Sequence, residues 1–508
     1  MSGNAAQYFV DRHVNEGRGD CPAFREAAGE KRSLTYGALA NGAGAVATAL
    51  TRAGIPREAR AVMLVLDQVE FPQIFWGCMK AGIVPVPLNT LLATPVYEAI
   101  LDDSRATILF VSHELWPVVE PAARASAHLR QIVVIGDALE GATSYAEFIA
   151  GCAPSETVDA SEDDTAFWLY SSGSTGQPKG VRHVHGSLKA TADTYGAQVL
   201  QIEPDDLVYS AAKLFFAYGL GNAMTFPMSV GAETILFNGR PTPEMTVQIL
   251  RDEKPSVFCG VPTLYAATVA LLEQGDVPDT KLRRCISAGE ALPEDIGKAW
   301  HKLWGTDILD GVGSTEMLHI FLSNAPGDVA YGTSGRPVPG YEVRLVDEDG
   351  SDVPVGGLGE LLVRGASAAD GYWNKRDKSR ATFEGEWTRT GDKYELTENG
   401  RYVYCGRTDD MFKVSGIWVS PFEVEQALSA HPAVLEAAVV PKRDEQDLEK
   451  PKAYIVLKQK AEADLTDELQ SFVKDKVGKW KYPRWIDFVD DLPKTATGKI
   501  QRFKLREG

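Results

Sequence analysis

The residues with the clearest capacity for chemistry form a short loop rich in glycine and hydroxyl side chains. The loop follows an apolar run at residues 166–169 and consists of Ser171, Ser172, Gly173, Ser174, Thr175, Gly176, Gln177, Pro178, Lys179 and Gly180. Glycine lets the backbone approach an anion, hydroxyl groups donate hydrogen bonds, and Lys179 supplies a positive charge. In a Walker A loop, by contrast, Ser or Thr follows the lysine. A flexible surface loop would share this composition but not the fixed Pro178 and Lys179 after a buried strand, so the pattern predicts a phosphate-binding loop.

This loop resembles the phosphate-loop motif of the adenylate-forming superfamily, which comprises acyl-CoA ligases, luciferase-type enzymes and the adenylation domains of peptide synthetases. Further stretches resemble four other motifs of this superfamily, in the same order along the chain. They are residues 310–316 (Asp-Gly-Val-Gly-Ser-Thr-Glu), 390–392 (Thr-Gly-Asp), 406–410 (Gly-Arg-Thr-Asp-Asp) and 493–499 (Pro-Lys-Thr-Ala-Thr-Gly-Lys). Each motif alone is weak, whereas five motifs in the correct order are specific.

The resemblance implies that the chain uses ATP to activate a carboxylic acid. It implies that Thr315 contacts the α-phosphate, that Glu316 holds Mg²⁺, and that Lys499 bridges the attacking oxygen and the phosphate. A carboxylate that attacks the α-phosphorus brings two anions together, so catalysis must neutralise charge and align the reactants. Lys179 is a fourth catalytic candidate, although it could equally position the loop.

Further ATP contacts follow from the same resemblance. The predicted ATP or AMP contacts are Ser171, Ser172, Gly173, Ser174, Thr175, Gly176, Lys179, Gly289, Glu290, Ala291, Asp310, Gly311, Thr315, Asp392, Arg407 and Lys499. Asp392 matches the residue that binds the ribose hydroxyls. Val312 is a departure, because the family commonly has an aromatic residue here that stacks on adenine. We therefore expect adenine to rest against apolar groups and the turn at residues 289–291.

The second half-reaction of the family transfers the acyl group to coenzyme A after the small C-terminal domain rotates. Asp409 matches the hinge residue of this motion, although a simple turn between domains is the alternative. Lys413, Ser415 and Gly416 would then face the site, and Gly416 would leave room for the pantetheine arm of CoA.

The acid pocket is predicted from two stretches, at residues 213–222 and 313–321, that resemble benzoate-CoA ligases. Ala217 and Gly313 would leave a thin slot, and Tyr218, His319 and Ile320 could form its rim. His319 could equally be a packed core histidine, and Tyr218 could serve packing alone. A flat slot favours benzoate, with 4-hydroxybenzoate and 2-aminobenzoate as alternatives.

The elements that must position these residues follow an α/β pattern. Apolar runs of strand length alternate with helix-length segments, which predicts largely buried parallel strands. The predicted strands are residues 61–66, 106–111, 131–135, 166–170, 234–237, 256–259 and 282–288. From about residue 330 alternating strands predict a small β-barrel subdomain. We expect a large N-terminal adenylate-forming domain at residues 1–408 and a small mobile α+β domain at residues 409–508.

Composition and charge limit the remaining classes of function. The net charge of −18 opposes nonspecific nucleic-acid binding, but residues 474–506 hold ten Lys or Arg against four Asp. This basic segment could meet a polyphosphate or could equally be a solvated helix face. The six cysteines show no spacing typical of zinc sites or disulfide frameworks. Without a signal peptide or an apolar run of spanning length, we expect a cytoplasmic monomer or homodimer. The alternatives are an enzyme that loads a carrier protein and a catalytically silent nucleotide-binding protein.

Overall fold

The structure is a computed structural model that describes residues 3–137, 139–172, 177–273, 275–414, 417–446, 448–459, 464–494 and 500–506. The chain divides into two compact units. The first comprises Met1–Val343 and Val363–Arg389, and the second comprises Arg344–Leu362 and Thr390–Gly508.

The first unit contains a nine-stranded sheet in which six neighbouring strands are parallel and the three strands at its edges are antiparallel. Its spatial order is Arg336–Pro337, Ile320–Ser323, Ile308–Gly313, Arg284–Ser287, Val257–Gly260, Leu207–Ser210, Glu233–Leu236, Pro22–Glu26 and Ser33–Thr35. The central strand Val257–Gly260 is buried at every position. Burial on both faces explains why such strands appear in the sequence as continuous apolar runs.

A second sheet of the first unit has five strands, all parallel. Its order is Val84–Pro87, Arg60–Leu64, Ile108–Ser112, Gln131–Ile135 and Thr143–Ser144. The predicted strands at residues 61–66, 106–111, 131–135, 234–237, 256–259 and 282–288 are confirmed to within two residues, and all of them lie in these two parallel arrays.

Helical segments connect and cover the strands of the first unit. They are Gln7–Asp11, Arg12–Asn15, Tyr36–Arg52, Glu70–Lys80, Thr94–Ser104, His113–Leu115, Trp116–Ala125, Tyr145–Ile149, His185–Thr191, Ala192–Leu200, Ala217–Leu220, Gly221–Thr225, Phe226–Val230, Pro243–Asp252, Pro262–Leu272, Glu294–Trp304 and Arg376–Thr382. Local interactions determine where several of these helices begin, as at helix Pro243–Asp252. The Thr242 hydroxyl accepts a hydrogen bond from the Met245 N–H, and Pro243 occupies the first turn, where its missing N–H costs nothing.

The strand before the phosphate loop differs from the prediction. Thr165–Ser172 pairs antiparallel with Pro178–Val184, which pairs antiparallel with Gly371–Tyr372. The apolar run at residues 166–170 indicated a buried strand correctly, but its assignment to the parallel set was wrong. Periodicity reports burial and not strand direction, which here is set by the short connection between two adjacent strands.

A five-stranded sheet occupies the region predicted as a β-barrel subdomain. It consists of Glu342–Val346, Leu358–Arg364, Trp387–Leu396 and Phe383–Glu384 in this order, with Tyr402–Arg407 paired to Trp387–Leu396. Closure of these strands into a barrel stays a prediction.

The C-terminal part of the second unit is an α+β structure, as predicted. It contains the strand pair Phe412–Val414 and Ile417–Val419, the sheet Val434–Arg443, Glu449–Leu457 and Trp485–Phe488, and the helices Pro421–Ser429, Thr466–Val477 and Arg502–Arg506. A core that includes Val424, Leu428, Ile455 and Val473 joins most of these elements, whereas Leu505 of helix Arg502–Arg506 packs against a second cluster that includes Val440 and Tyr454.

The predicted boundary between residues 408 and 409 does not coincide with the division into compact units. Strand Trp387–Leu396 pairs with Tyr402–Arg407, for example at Asp392 and Arg407, so residues 390–408 belong with the C-terminal elements by packing. The residue about which a mobile domain would turn stays a prediction.

The state of the cysteines and the apolar character of the helices are two further features of the fold. All six cysteines are free thiols, and three of them are buried. Within the described ranges, none of the helices combines the length and the apolar character needed to cross a membrane.

Candidate active site

Three neighbouring parallel strands end side by side at one edge of the nine-stranded sheet. They are Val257–Gly260, Arg284–Ser287 and Ile308–Gly313. Ligands of open α/β sheets bind beyond the carboxyl ends of the strands. The turn at residues 289–291 and the motif at residues 310–316 both lie at this edge, so the fold brings together predicted contacts that are distant in sequence.

Thr315 and Glu316 lie in a tight turn that follows strand Ile308–Gly313. The Leu318 N–H donates to the Thr315 carbonyl at 3.2 Å, and Leu318 adopts a φ of 65°. Left-handed backbone is uncommon for leucine and must be held by its surroundings. The Ala369 N–H donates to the Glu316 carbonyl at 2.8 Å and holds the turn from outside. The backbone that carries Thr315 and Glu316 is therefore fixed on both sides.

Lys179, Glu316 and Tyr372 form a triangle of polar contacts. The Lys179 ammonium lies 3.6 Å from Glu316 Oε1 and 3.3 Å from the Tyr372 hydroxyl. The Tyr372 hydroxyl donates to Glu316 Oε1 at 2.8 Å, and the ammonium also lies 4.4 Å from the centre of the Tyr372 ring. The side chains of Lys179 and Glu316 are only 12% and 16% exposed. The structure thus brings a predicted loop lysine next to the predicted metal-binding carboxylate.

His183 connects the strand after the phosphate loop to the Thr315 turn. Its Nε2 lies 2.8 Å from the Thr315 carbonyl, and its ring stacks on Phe167 at 5.1 Å. Burial lowers the pKa of His183 to about 4. The ring is therefore neutral near pH 7, and because a carbonyl only accepts, Nε2 must carry the hydrogen. His183 fixes the position of the Thr315 backbone.

Asp310 holds the turn that was predicted to contact adenine. Its Oδ2 accepts a hydrogen bond from the Leu292 N–H at 3.4 Å, just after Gly289, Glu290 and Ala291. Burial raises the pKa of Asp310 to about 8. Gly289 has a φ of 98°, a backbone conformation that is strained for any residue with a Cβ atom. Asp310 is buried and holds the turn through its hydrogen bond with Leu292, whereas Gly289 and Glu290 are exposed.

Gly311 and Gly313 are required by the hairpin in which they lie. A Cβ atom at Gly313 would stand 2.4 Å from the backbone oxygen of His319, and one at Gly311 would stand 2.8 Å from the backbone oxygen of Leu322. Gly313 was expected to leave a slot for a ring. The structure gives the close approach of two strands as the immediate reason for the missing side chain.

Tyr218 is anchored to the ends of two parallel strands. Its hydroxyl lies 3.1 Å from the carbonyl oxygens of both Gly260 and Ile286. A phenol has one hydrogen to share between these acceptors, so the contact fixes the ring near the sheet edge. Ala217 precedes it at the start of helix Ala217–Leu220 and is half-buried. These two predicted pocket residues therefore lie at the same edge as the predicted phosphate contacts Thr315 and Glu316.

His319 and Ile320 are buried, with exposed fractions of 3% and 1%. The His319 ring lies 5.1 Å from the ring of Tyr195 and 4.6 Å from that of Phe226, and its Nε2 is 3.4 Å from the Tyr218 carbonyl. Burial lowers the pKa of His319 to about 3, so it is neutral near pH 7. These contacts favour the packing alternative for His319, and its contact with an acid stays a proposal.

Asp392 and Arg407 form a pair within the second unit. Arg407 Nη1 lies 2.8 Å from Asp392 Oδ1 and donates to the Thr390 carbonyl at 3.0 Å. The Asp392 N–H donates to the Thr390 hydroxyl at 3.1 Å. Arg407 therefore fixes the Asp392 carboxylate, which could accept hydrogen bonds from a ribose.

The predicted hinge segment is tied to the C-terminal helix of the same unit. Asp410 Oδ1 lies 2.7 Å from Arg506 and Oδ2 lies 3.4 Å from Arg502, while Arg506 also reaches the Asp409 carbonyl at 3.4 Å. Nearby, Lys413 lies 3.4 Å from Glu348. About half of the Lys413 side chain is exposed, so it could meet a phosphate of CoA.

Several predicted site residues lie outside the described part of the chain. They are Gly173, Ser174, Thr175, Gly176, Ser415, Gly416 and Lys499, and of Ser172 only the backbone is described. Ser171 is described, and its buried hydroxyl has no hydrogen-bond partner among the described atoms. An unsatisfied buried hydroxyl costs free energy unless a ligand completes it, which fits the predicted role in the phosphate loop.

The residues of the first unit fit a metal ion that arrives with a nucleotide. Mg²⁺ keeps several waters and needs only one or two carboxylates when phosphates supply the other oxygens. Glu316 offers one carboxylate, and no cluster of three or more His, Cys, Asp or Glu occurs among the described residues. The donor set suits Mg²⁺ bound to ATP better than a metal held by protein ligands alone.

Tyr372 and His183 were missed at the level of sequence. Neither belongs to a motif that was singled out, and Tyr372 is far from Lys179 and Glu316 along the chain. Gly371–Tyr372 was too short for a periodic pattern. The only available signal was aromatic and glycine-rich composition around residues 371–373, which does not reveal a partner.

Comparison with known proteins gives concordant matches over nearly the whole chain. Residues 10–373 match the profile of AMP-binding enzymes, and residues 423–499 match the profile of the AMP-binding enzyme C-terminal domain. A 4-hydroxybenzoate–CoA/benzoate–CoA ligase of Rhodopseudomonas palustris is 52% identical over 99% of this chain and 94% of its own length. A benzoate–CoA ligase of Thauera aromatica is also 52% identical, over 99% and 95%. The solved structure of a benzoate CoA ligase from Burkholderia xenovorans LB400 has a TM-score of 0.90 and 48% identity, with 99% of both chains covered.

Proposed function

Because the chain belongs to the family of AMP-binding enzymes, we propose that it is a benzoate–CoA ligase. In the first step the benzoate carboxylate attacks the α-phosphorus of ATP, and diphosphate leaves to give benzoyl-adenylate. In the second step the thiol of CoA attacks the acyl carbon, AMP leaves, and the thiol proton is released. The sum is ATP, benzoate and CoA converted to AMP, diphosphate and benzoyl-CoA.

The observation that carries the activation step is the placement of Lys179 beside Glu316 at the sheet edge. The two opposite charges lie 3.6 Å apart and are largely withdrawn from water. Lys179 would bind the negative polyphosphate, while Glu316 would hold Mg²⁺. When bound, this ion neutralises charge on the phosphate oxygens. Fixed charges in a partly desolvated site need little rearrangement during the reaction, which is how such sites lower barriers.

The remaining groups of the first step orient the reactants. Thr315, whose backbone is held by His183, would contact the α-phosphate. Asp392 would accept hydrogen bonds from the ribose. Lys499 would approach the attacking oxygen and the α-phosphate, where negative charge develops. Each of these roles rests on the resemblance of its motif and on the local geometry given above.

The second step needs a path for the thiol of CoA. We assign this path to Lys413, Ser415 and Gly416, which would reach the adenylate after a turn at Asp409. Lys413 is exposed enough to meet a phosphate. The full-length similarity to ligases that use CoA supports CoA as acceptor over a carrier protein.

The choice of benzoate rests on the pocket residues and on the relatives. Tyr218 presents an aromatic face fixed by two carbonyl groups, beside the small Ala217. The Thauera aromatica relative supports benzoate, whereas the name of the Rhodopseudomonas palustris relative also includes 4-hydroxybenzoate. We therefore keep 4-hydroxybenzoate as the second candidate. 2-Aminobenzoate ranks below it, because neither of these two relatives has it in its name.

The deciding experiment measures CoA-thioester formation over a panel of acids. We expect the highest kcat/KM for benzoate, followed by 4-hydroxybenzoate, and ATP–pyrophosphate exchange that depends on the acid. A higher kcat/KM for 2-aminobenzoate or an aliphatic acid would contradict the proposed substrate. Acylation of a carrier protein without acylation of CoA would contradict the proposed acceptor, and absence of exchange with every acid would favour a silent nucleotide-binding protein.

The variant Glu316→Gln tests the assignment of the charged pair. It keeps the size of the side chain but removes the charge, so we expect at least about a hundredfold loss of exchange. Glu342→Gln is the matched control, because Glu342 is an exposed partner of Arg364 at the surface. Equal activity of the two variants would remove Glu316 from the proposed mechanism.

A further inference from the structure

We propose that Tyr372 is a positioning residue that holds Lys179 and Glu316 apart, so that both charges stay available to Mg²⁺ and the phosphates of ATP. This proposal rests on the proposed function, because it assigns Lys179 and Glu316 to the binding of Mg·ATP. It concerns a residue outside all the motifs that led to that function.

The position of Tyr372 is fixed from several directions. Its strand, Gly371–Tyr372, pairs with Pro178–Val184, the strand that carries Lys179. The Tyr372 N–H donates to the Ser379 hydroxyl at 3.0 Å, and its ring lies 5.4 Å from the ring of Phe383. Only 5% of the residue is exposed. The phenol is thus a rigid group and not a surface side chain that happens to lie nearby.

The hydrogen bonds of the phenol have one possible direction. A lysine ammonium only donates, and an ionised carboxylate only accepts. The Tyr372 oxygen must therefore accept from Lys179 at 3.3 Å and donate its hydrogen to Glu316 at 2.8 Å. The phenol gives each charged group one hydrogen bond. The Lys179 ammonium can still bind phosphate, and the Glu316 carboxylate can still bind Mg²⁺.

Without the hydroxyl group, the two charges would have reason to approach each other. They are 3.6 Å apart, and both are largely shielded from water, where attraction between opposite charges is stronger than in solution. In a direct ion pair, Lys179 and Glu316 would each be bound to the other. Mg²⁺ would then compete with Lys179 for Glu316, and the polyphosphate would compete with Glu316 for Lys179. The expected consequence is weaker binding of Mg·ATP and slower adenylation.

The phenol ring has a second function that can be separated from the first. The Lys179 ammonium lies 4.4 Å from the ring centre, within the range of a cation–π contact. The variant Tyr372→Phe keeps this ring, the strand pairing and the contact with Phe383. It removes only the hydroxyl group, so it tests the spacing of the charges with little change in packing.

The experiment compares the full-length wild type, Tyr372→Phe and the control Tyr36→Phe. Tyr36 is also a buried phenol, and its hydroxyl donates to the Ala232 carbonyl at 2.8 Å, but it is not part of the proposed site. Calorimetric titration with a non-hydrolysable ATP analogue, at several Mg²⁺ concentrations, measures binding directly. ATP–pyrophosphate exchange and thioester formation from supplied benzoyl-adenylate measure the two half-reactions.

We expect Tyr372→Phe to weaken binding of the Mg·ATP analogue about tenfold, as for loss of a hydrogen bond to a charged group. The Mg²⁺ concentration for half-maximal exchange should rise, while thioester formation from the supplied adenylate should stay within about twofold of wild type. Tyr36→Phe should leave both half-reactions unchanged. A crystal structure of Tyr372→Phe should show Lys179 Nζ closer to Glu316 than in the wild type.

Two results would overturn the proposal. One is unchanged analogue binding and unchanged Mg²⁺ dependence in Tyr372→Phe. The other is an equal loss in both half-reactions together with a lowered melting temperature, which would indicate a structural role only. If the wild type itself lacks acid-dependent exchange, the proposed function fails, but the comparison of analogue binding still decides the role of Tyr372.

Discussion

Gly221 lies directly against the ring of His319. A Cβ atom on Gly221 would stand 2.5 Å from Cδ2 and 2.8 Å from Nε2 of His319. Contacts this short cannot form without movement of the ring. The absence of a side chain at Gly221 therefore decides where His319 lies, and with it one side of the predicted acid pocket.

Substitution Gly221→Ala should displace the His319 ring. Overpacking of a buried contact costs about 1 to 3 kcal/mol of unfolding free energy, and a displaced ring would change the shape offered to the acid. We expect a roughly tenfold lower kcat/KM for benzoate with a smaller change in the KM for ATP. Steady-state kinetics and urea unfolding measure the two effects.

The matched control for this change is Gly186→Ala. A Cβ atom there would come no closer than 3.5 Å to a neighbour, which is ordinary van der Waals contact, and the residue lies in helix His185–Thr191. Alanine should be tolerated there and could even favour the helix. If Gly221→Ala behaves like this control towards benzoate, His319 does not shape the pocket.

Lys499→Ala should abolish adenylation but spare the second half-reaction. The proposed task of the ammonium is to stabilise charge during attack on the α-phosphate, so we expect exchange to fall at least about a hundredfold. Thioester formation from supplied benzoyl-adenylate should remain near the wild-type rate. Lys458→Ala, at an exposed position of the same unit, is the control for loss of a lysine. A parallel decline of both half-reactions would refute the assigned role.

Gly416→Trp should have the opposite effect. The resemblance places this glycine beside the pantetheine arm of CoA, so a bulky ring would block the thiol but not ATP. Exchange should persist, whereas thioester formation from supplied adenylate should become undetectable. Loss of exchange in this variant would mean that the substitution disturbs more than the CoA path.

Stability should fall as the pH decreases from about 7 to 5, because several histidines are buried in their neutral form. Burial lowers the pKa of each of these residues from 6.5 to about 4 or about 3; they are His13, His183, His185 and His319. In this pH window the unfolded chain binds protons that the folded chain does not. The free energy of unfolding rises with pH wherever the unfolded state binds more protons, so acid destabilises the fold.

Two buried acids act in the opposite direction. Burial raises the pKa of Asp310 to about 8 and that of Asp67 to about 6, so the folded state keeps protons that the unfolded state releases. From these six groups we still expect a net uptake of about two protons on unfolding near pH 5.5. His185→Gln should remove about one of these protons. The slope of the unfolding free energy against pH should then decrease by about 1.4 kcal/mol per pH unit.

Urea unfolding at pH values between 5 and 7 measures this slope. His128→Gln is the control, because the His128 side chain is 37% exposed. An identical slope in the wild type and in His185→Gln would contradict the role of buried His185 in acid stability.

Much of the architecture could be read from local patterns. The strand at residues 131–135 was predicted with its observed bounds, and the strand predicted at residues 256–259 is observed one residue later, as Val257–Gly260. A continuous apolar run of strand length indicates burial, which is a local property of the chain. The antiparallel direction of Thr165–Ser172 was not readable in this way, because strand direction depends on the partner.

The sequence by itself determined which chemical groups the chain carries and in what order: a glycine- and hydroxyl-rich loop, a Thr-Glu pair, an aspartate that resembles the family's ribose-binding residue, and a C-terminal lysine. Tertiary structure alone decided which groups meet. Tyr372 reaches Lys179 and Glu316 only because Gly371–Tyr372 pairs with Pro178–Val184. Side-chain chemistry is encoded residue by residue, whereas hydrogen bonds between distant residues depend on strand pairing and packing that no single segment specifies.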